Sequence, residues 1–209
     1  MKTSKPILIL SFAILAGLAA GLALGDSDDE HEGDEHGGGW FAPRADVAPV
    51  ANAAYQEECG GCHMAYQPGL LPAAAWARIM TPDALAAHYG DDASLPDPLR
   101  RDIAAYLESN SADGASRSRS RAFAVDVSLA GGLPRITETR YFRNEHHEIP
   151  ARLVTGNDQV GSFSNCNACH QGAAEGVYNE DRINIPGVGR WDGASRSRSR
   201  AFAVDVSLA

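Results

Sequence analysis

Every cysteine in the chain lies in one of two short stretches, Cys59-Gly60-Gly61-Cys62-His63 and Cys166-Asn167-Ala168-Cys169-His170. Two thiols three residues apart sit one helical turn from each other. Each can close a thioether onto a vinyl group of the same porphyrin. The histidine beside the second thiol then swings under the iron as its proximal ligand. The sequence thus carries two attachment sites for covalently bound haem c, with His63 and His170 as the proximal ligands. Other uses of Cys-x-x-Cys fit worse. Paired zinc half-sites stand about 15–20 residues apart, whereas Cys62 and Cys166 are 104 apart. Zinc also gives no reason for a histidine after each pair. A thioredoxin-like pair expects a surrounding βαβ pattern, which is absent, and a disulfide closed inside the motif would be strained.

Each iron has a second axial face. Of seven histidines, two are proximal and two, His31 and His36, lie in an acidic tract, which leaves His88, His146 and His147. Methionine is the rival ligand. Met1 stands in the export segment, and Met64 adjoins His63 and cannot reach the opposite face. Met80 falls on an apolar helix face beside Trp76, where methionine is ordinary core filler. His88, 25 residues after His63, is the distal candidate for the first haem, against the alternative of a surface histidine at a helix C-terminus. His146 or His147 serves the second. Adjacent side chains point in different directions on any regular backbone, so only one binds, and the residues alone leave that choice open.

Helices must position these groups. Val50 to Glu58 is a helical approach to the first motif. Pro72 to Met80 sets Trp76, Ile79 and Met80 on one face. Thr81-Pro82 is an N-cap followed by proline at the first helical position, with Gly90 as the stop. Asp97-Pro98 repeats the device and opens a helix striped by Leu99, Ile103, Tyr106 and Leu107. The segment 131–191 has scattered Gly, Pro and Asn and little periodicity. It is expected to be mostly irregular, with a helical turn at Cys166 to His170.

The 209 residues are 44% hydrophobic and only 7% aromatic. Two buried porphyrins would supply apolar bulk that the side chains lack. The formal charge of −9 argues against nucleic acid and for a basic or neutral docking partner. Lys2 and Lys5 precede an apolar run from Ile7 to Leu24, and Ala23-Leu24-Gly25 resembles a cleavage site. The run suits a cleaved signal peptide or an uncleaved anchor that holds the protein at the membrane. Either way the protein is exported and periplasmic. Asp26 to Gly39, with seven carboxylates, is expected to be a solvated linker, with loose metal binding through its histidines as the lesser alternative. Trp40-Phe41 is placed to dock it.

The expected organisation is an export segment 1–25, an acidic linker 26–46, a first haem domain 47–111, a linker 112–134, a second haem domain 135–191 and a tail 192–209. Residues 113–130 recur without change at 192–209. The C-terminal copy reads as a recent duplication or an artefact of sequence assembly. In the first copy, the alternation of Phe123, Val125, Val127 and Leu129 suggests a short strand, and its Arg-Ser portion a solvated loop.

The stretches Glu57-Glu58-Cys59 to Pro72, His88-Tyr89-Gly90-Asp91, Arg135 to Phe142, Glu145-His146-His147-Glu148-Ile149-Pro150, Asn165 to His170 and Arg182 to Trp191 resemble the bacterial dihaem cytochromes c. The resemblance covers about residues 47–191; the tail departs from it. It implies a mainly α fold, with an N-terminal small cytochrome c-like helical domain whose first and last helices cross. A more irregular, haem-wrapping C-terminal domain follows. It also implies bis-histidine ligation at both haems. The family pattern Glu-His-x-Glu falls on His146, with His147 as the alternative. Family members pass electrons from a membrane-bound b-type cytochrome to periplasmic acceptors such as a small redox protein. A non-enzymatic electron carrier is the leading expectation. The alternative is a dihaem peroxidase or an oxygen- or nitrogen-oxide-reactive enzyme, which needs a vacant iron position and an acid–base group, for which Glu145 and Glu148 are available.

Overall fold

The computed structural model describes residues 44–125 and 132–191. The export segment, most of the acidic linker with Trp40-Phe41, Val127 and Leu129, and the C-terminal copy of the repeat lie outside them. No described helix is long and apolar enough to cross a membrane.

The described residues are mainly helical, as expected. Asn52 caps α1 (Ala53–Cys59), its side chain accepting from the Tyr55 N–H at 2.8 Å. The helix delivers Cys59 at its last turn. Helix α2 (Ala73–Ile79) turns Trp76 and Ile79 inward, and Met80 follows them at its C-cap. Thr81 caps α3 (Pro82–Ala86) through the Ala84 N–H, with Pro82 at the first position. This helix ends earlier than Gly90. Helix α4 (Asp97–Ser109) buries Ile103 and Leu107 completely. Asp97 does not cap it; its carboxylate instead takes Arg100 at 2.8 Å and Arg101 at 2.5 Å. Helices α1 and α4 meet as the resemblance implies. The Tyr55 and Tyr106 rings lie 6.0 Å apart, and the Tyr106 hydroxyl accepts from the Ala51 N–H at 2.9 Å. These helices enclose one apolar cluster around Trp76, Ile103 and Leu107.

A second cluster draws on the whole chain. It joins Val47 and Leu70 from the first half, Phe142, Ala173 and Tyr178 from the second, and Ala112 and Phe123 from between. The stretch expected to be a linker is therefore part of the core. The solvated loop expected there is replaced by helix α5 (Ser118–Ala124), with Ser120 and Phe123 buried; of the expected strand residues, Phe123 lies in this helix and Val127 and Leu129 fall outside the described residues. Alternating Arg and Ser concealed it. One apolar residue, Phe123, is enough to dock so short a helix, while Val125 beyond it stays 60% exposed.

The second half also contains more helix than its composition suggests. Thr139 caps α6 (Arg140–His146), accepting from the Phe142 N–H at 3.2 Å and donating to Ile136 O at 2.8 Å. Helix α7 (Cys166–Cys169) is the expected single turn. A two-residue antiparallel pair, β1 (Asn184–Ile185) and β2 (Gly189–Arg190), follows. The N-terminal strip closes on this half: Asp46 and Val47 donate their N–H groups to Gly176 O at 2.9 and 3.1 Å. Gly176 has φ +76, and a Cβ there would meet Val47 O at 2.2 Å, so only glycine allows this approach.

Thr139 is 1% exposed and anchors the helix that carries His146. Thr139→Ala is expected to cost about 1–2 kcal/mol, the scale of a lost N-cap. Chemical denaturation of the holoprotein measures it.

Candidate functional site

Histidines dominate the site, as two pairs. His63 follows α1, and its Nδ1–H donates to Met64 O at 2.8 Å. A carbonyl can only accept, so the ring's free lone pair belongs to Nε2. His88 lies past the end of α3 in a tight turn, where its N–H meets Asp91 O at 2.8 Å and its carbonyl accepts from the Asp91 N–H at 3.1 Å. The two central residues have positive φ, Tyr89 at 53° and Gly90 at 115°, the type I′ pattern. Tyrosine is a costly choice for that conformation. Its ring offsets the cost by packing edge-on against His88 at 4.7 Å, and Arg135 covers it at 4.2 Å. Its hydroxyl donates to Pro134 O. The His63 and His88 ring centroids are 6.3 Å apart, with planes 21° from parallel.

The second pair is built by α6 and α7. His146 donates Nδ1–H to Phe142 O at 2.9 Å and lies flat on the Phe142 ring at 3.8 Å. His170 follows α7 and meets Tyr178 edge-on at 5.3 Å. The His146 and His170 centroids are 6.1 Å apart, with planes at 70°. His147 is exposed, bonds Asn144 O at 2.6 Å and takes no part in the pair. Met80 is packed in the first core.

Separations of 6.1 and 6.3 Å exceed ring contact. They leave room for one metal ion between two nitrogens each about 2 Å from it. Among the described residues, the only buried side-chain N or O atoms without a hydrogen-bond partner are Nδ1 of His88 and Nδ1 of His170. Unpaired buried nitrogens cost free energy, and they fall on one ring of each pair. Burial holds His88 and His146 below the usual histidine range. Burial, then His146 and Arg119, hold His170 at about 4. These rings are neutral at pH 7, the form that binds metal.

The thiols fit attachment better than the rival roles. All four are free. Burial, then Glu58, push Cys59 up to about 11, and burial pushes Cys166 up to about 11. Reactive thiolates and zinc ligands need the opposite environment. No described group of three or more Cys, His, Asp or Glu side chains could hold a metal ion. Beside the second pair lies a cavity of about 610 Å³, walled by Phe123, Phe142, Phe163, Tyr178 and Trp191, with both Cys166 and Cys169 on it. Its size and apolar walls suit a planar macrocycle.

The family model for dihaem cytochrome c matches residues 55–178. The chain belongs to the dihaem cytochrome c family. Membership implies two c-type haems, and the two Cys-x-x-Cys-His motifs are consistent with their attachment. The chain is similar to the diheme cytochrome type c of Shewanella baltica OS155, at 42% identity over 68% of this chain and 98% of that one, with a TM-score of 0.55. It is also similar to the diheme cytochrome c of Rhodobacter sphaeroides, at 34% identity over 63% of this chain and 100% of that one, with a TM-score of 0.53. No curated protein matches the sequence.

Two residues escaped sequence reasoning. Gln67 is fully buried and donates to Ala173 O at 2.6 Å and Ala174 O at 3.2 Å. It also accepts the Tyr178 hydroxyl at 2.6 Å. Tyr66 faces the His63 ring at 4.9 Å and donates its hydroxyl to Ser164 O at 2.6 Å. Tyr66-Gln67 thus grips the second motif on both sides. The available signal was position: both follow the first motif directly, within the stretch that resembles the family.

Proposed function

We propose that the protein is an exported electron carrier whose two haems are each ligated by two histidines, His63 with His88 and His146 with His170. It passes electrons from a membrane-bound b-type cytochrome to a small periplasmic redox protein. The paired rings carry this reading. Haem c supplies a one-electron iron couple; the chain supplies two imidazoles per site, aromatic walls and a fixed relation between the sites. With both axial positions taken, no position remains for peroxide or oxygen. Glu145, 3.9 Å from Arg119, is engaged in an ion pair rather than poised as an acid.

The ring planes make the reading testable. Near-parallel imidazoles push unequally on the two iron d orbitals that overlap them and split their energies. Near-perpendicular imidazoles push equally and leave them close together. The oxidised protein is expected to show two low-spin electron paramagnetic resonance signals. The first site, at 21°, gives a rhombic signal, and the second, at 70°, a broad signal with one very large g value. Both potentials are expected below that of a histidine–methionine cytochrome, because axial methionine raises the potential. Rapid stoichiometric carbon monoxide binding to the reduced protein at either site would overturn the proposal.

A further inference from the structure

Four arginines converge on a cavity that the haem sites do not use. Arg44, Arg117, Arg119 and Arg121 line a surface cavity of about 680 Å³ between the N-terminal strip and α5. Arg119 is neutralised, with Asp46 and Glu145 each 3.9 Å from it. Asp46 is further occupied by the Tyr178 N–H at 2.6 Å. The other three guanidiniums have no carboxylate within ion-pair distance among the described residues. Two of them are held in place nonetheless: Arg117 donates to Ala45 O and Arg121 to Ser116 O. A backbone carbonyl takes one of five donors and leaves the charge uncompensated. Among the described residues the result is a pinned cationic cluster without a carboxylate partner, the form in which arginine recognises carboxylates.

Its place is as informative as its charge. Arg119 and Tyr141 line this cavity and also the aromatic cavity of the second site. One wall therefore separates the cluster from His146 and His170. The whole chain carries −9, so a cluster of arginines runs against the overall charge and orients an acidic protein toward this face.

We infer that Arg44, Arg117 and Arg121 form the docking face for an acidic surface of a redox partner protein, which exchanges electrons through the second site. This rests on the electron-carrier reading and replaces the expectation of a basic or neutral partner. One electron passes between the second haem and the partner's centre, with no bond made or broken.

The test uses full-length holoprotein, a decaglutamate peptide as binding probe, and two oxidants of the reduced protein: trianionic hexacyanoferrate(III) and tricationic tris(phenanthroline)cobalt(III). Decaglutamate is expected to bind at low salt and to slow oxidation by hexacyanoferrate(III). Arg117→Gln with Arg121→Gln, which keeps an amide donor for each carbonyl, weakens that binding on the order of tenfold. It slows the anionic oxidant and not the cationic one. Arg44→Glu alters an exposed side chain with no described partner and moves both readouts the same way, which separates lost charge from misfolding. Equal decaglutamate binding in wild type and variants overturns the docking face. Displacement of decaglutamate by equimolar inorganic phosphate also overturns it, in favour of a small-anion site. If neither oxidant reoxidises the reduced protein, the electron-carrier reading itself fails.

Discussion

His146→Ala is expected to turn the second site high-spin and open it to carbon monoxide, while His147→Ala leaves it low-spin. The two residues are neighbours, so the pair of variants separates ligation from proximity. His146 lies flat on Phe142, is fixed by Phe142 O and stands 6.1 Å from His170. His147 is exposed and bonds the last turn of its own helix. Truncating His146 removes an axial donor and uncovers a binding position; truncating His147 removes only a surface ring. The same logic at the first site predicts that His88→Ala opens that site alone, as its ring faces His63 across 6.3 Å. Absorption and magnetic resonance spectra of the three variants give the answer. A high-spin signal from the His147 variant would exchange the roles of the two residues, and a fully low-spin His88 variant would point to another partner for His63.

Gln67→Ala is expected to destabilise the holoprotein by about 3 kcal/mol, a large effect for one uncharged residue. The side chain is fully buried and makes three hydrogen bonds. Alanine leaves the Tyr178 hydroxyl facing a buried void, removes one of the two donors to Ala173 O, which keeps the Gly176 N–H at 3.0 Å, and returns Ala174 O to water. Each unpaired group costs about 1–3 kcal/mol, reduced where another partner is found. In guanidinium chloride, with a slope of roughly 3–6 kcal/mol/M, the midpoint should fall by roughly 0.5–1 M at unchanged slope. An unchanged midpoint would mean that water replaces all three bonds without net cost.

Much of the site was legible because its signals are local. Cys-x-x-Cys-His is five consecutive residues. The Thr81-Pro82 start and the Leu99, Ile103, Tyr106 and Leu107 stripe are also read within a few turns of chain. His88 could be singled out by elimination, but not the turn that holds it, since a tyrosine with positive φ is tolerated only through contacts with Pro134 and Arg135. Helices α5 and α6 were missed because each is seven residues long, too short for a stripe to repeat. The alternating Arg and Ser of α5 read instead as a solvated loop. The interlocking of the two halves was missed for a stronger reason. Gln67 reaches residues 106 and 111 positions away, and periodicity carries no record of a partner so distant.

That reach also bears on how the molecule is assembled. Contacts of such sequence separation form late, because the intervening loop must close before they return any free energy. The first core, whose buried members all lie within residues 55–107 and to which the second half adds only Ile136 at the edge, can condense on its own as the chain emerges. The second lacks Val47, Leu70 and the Gln67 bonds until the earlier segment has come back to meet it. Synthesis in order thus favours completion in order, with the first half serving as template for the second. The halves are not interchangeable modules: residues 47–111 expressed alone should retain helical structure, whereas residues 135–191 alone should remain unfolded and open to proteolysis.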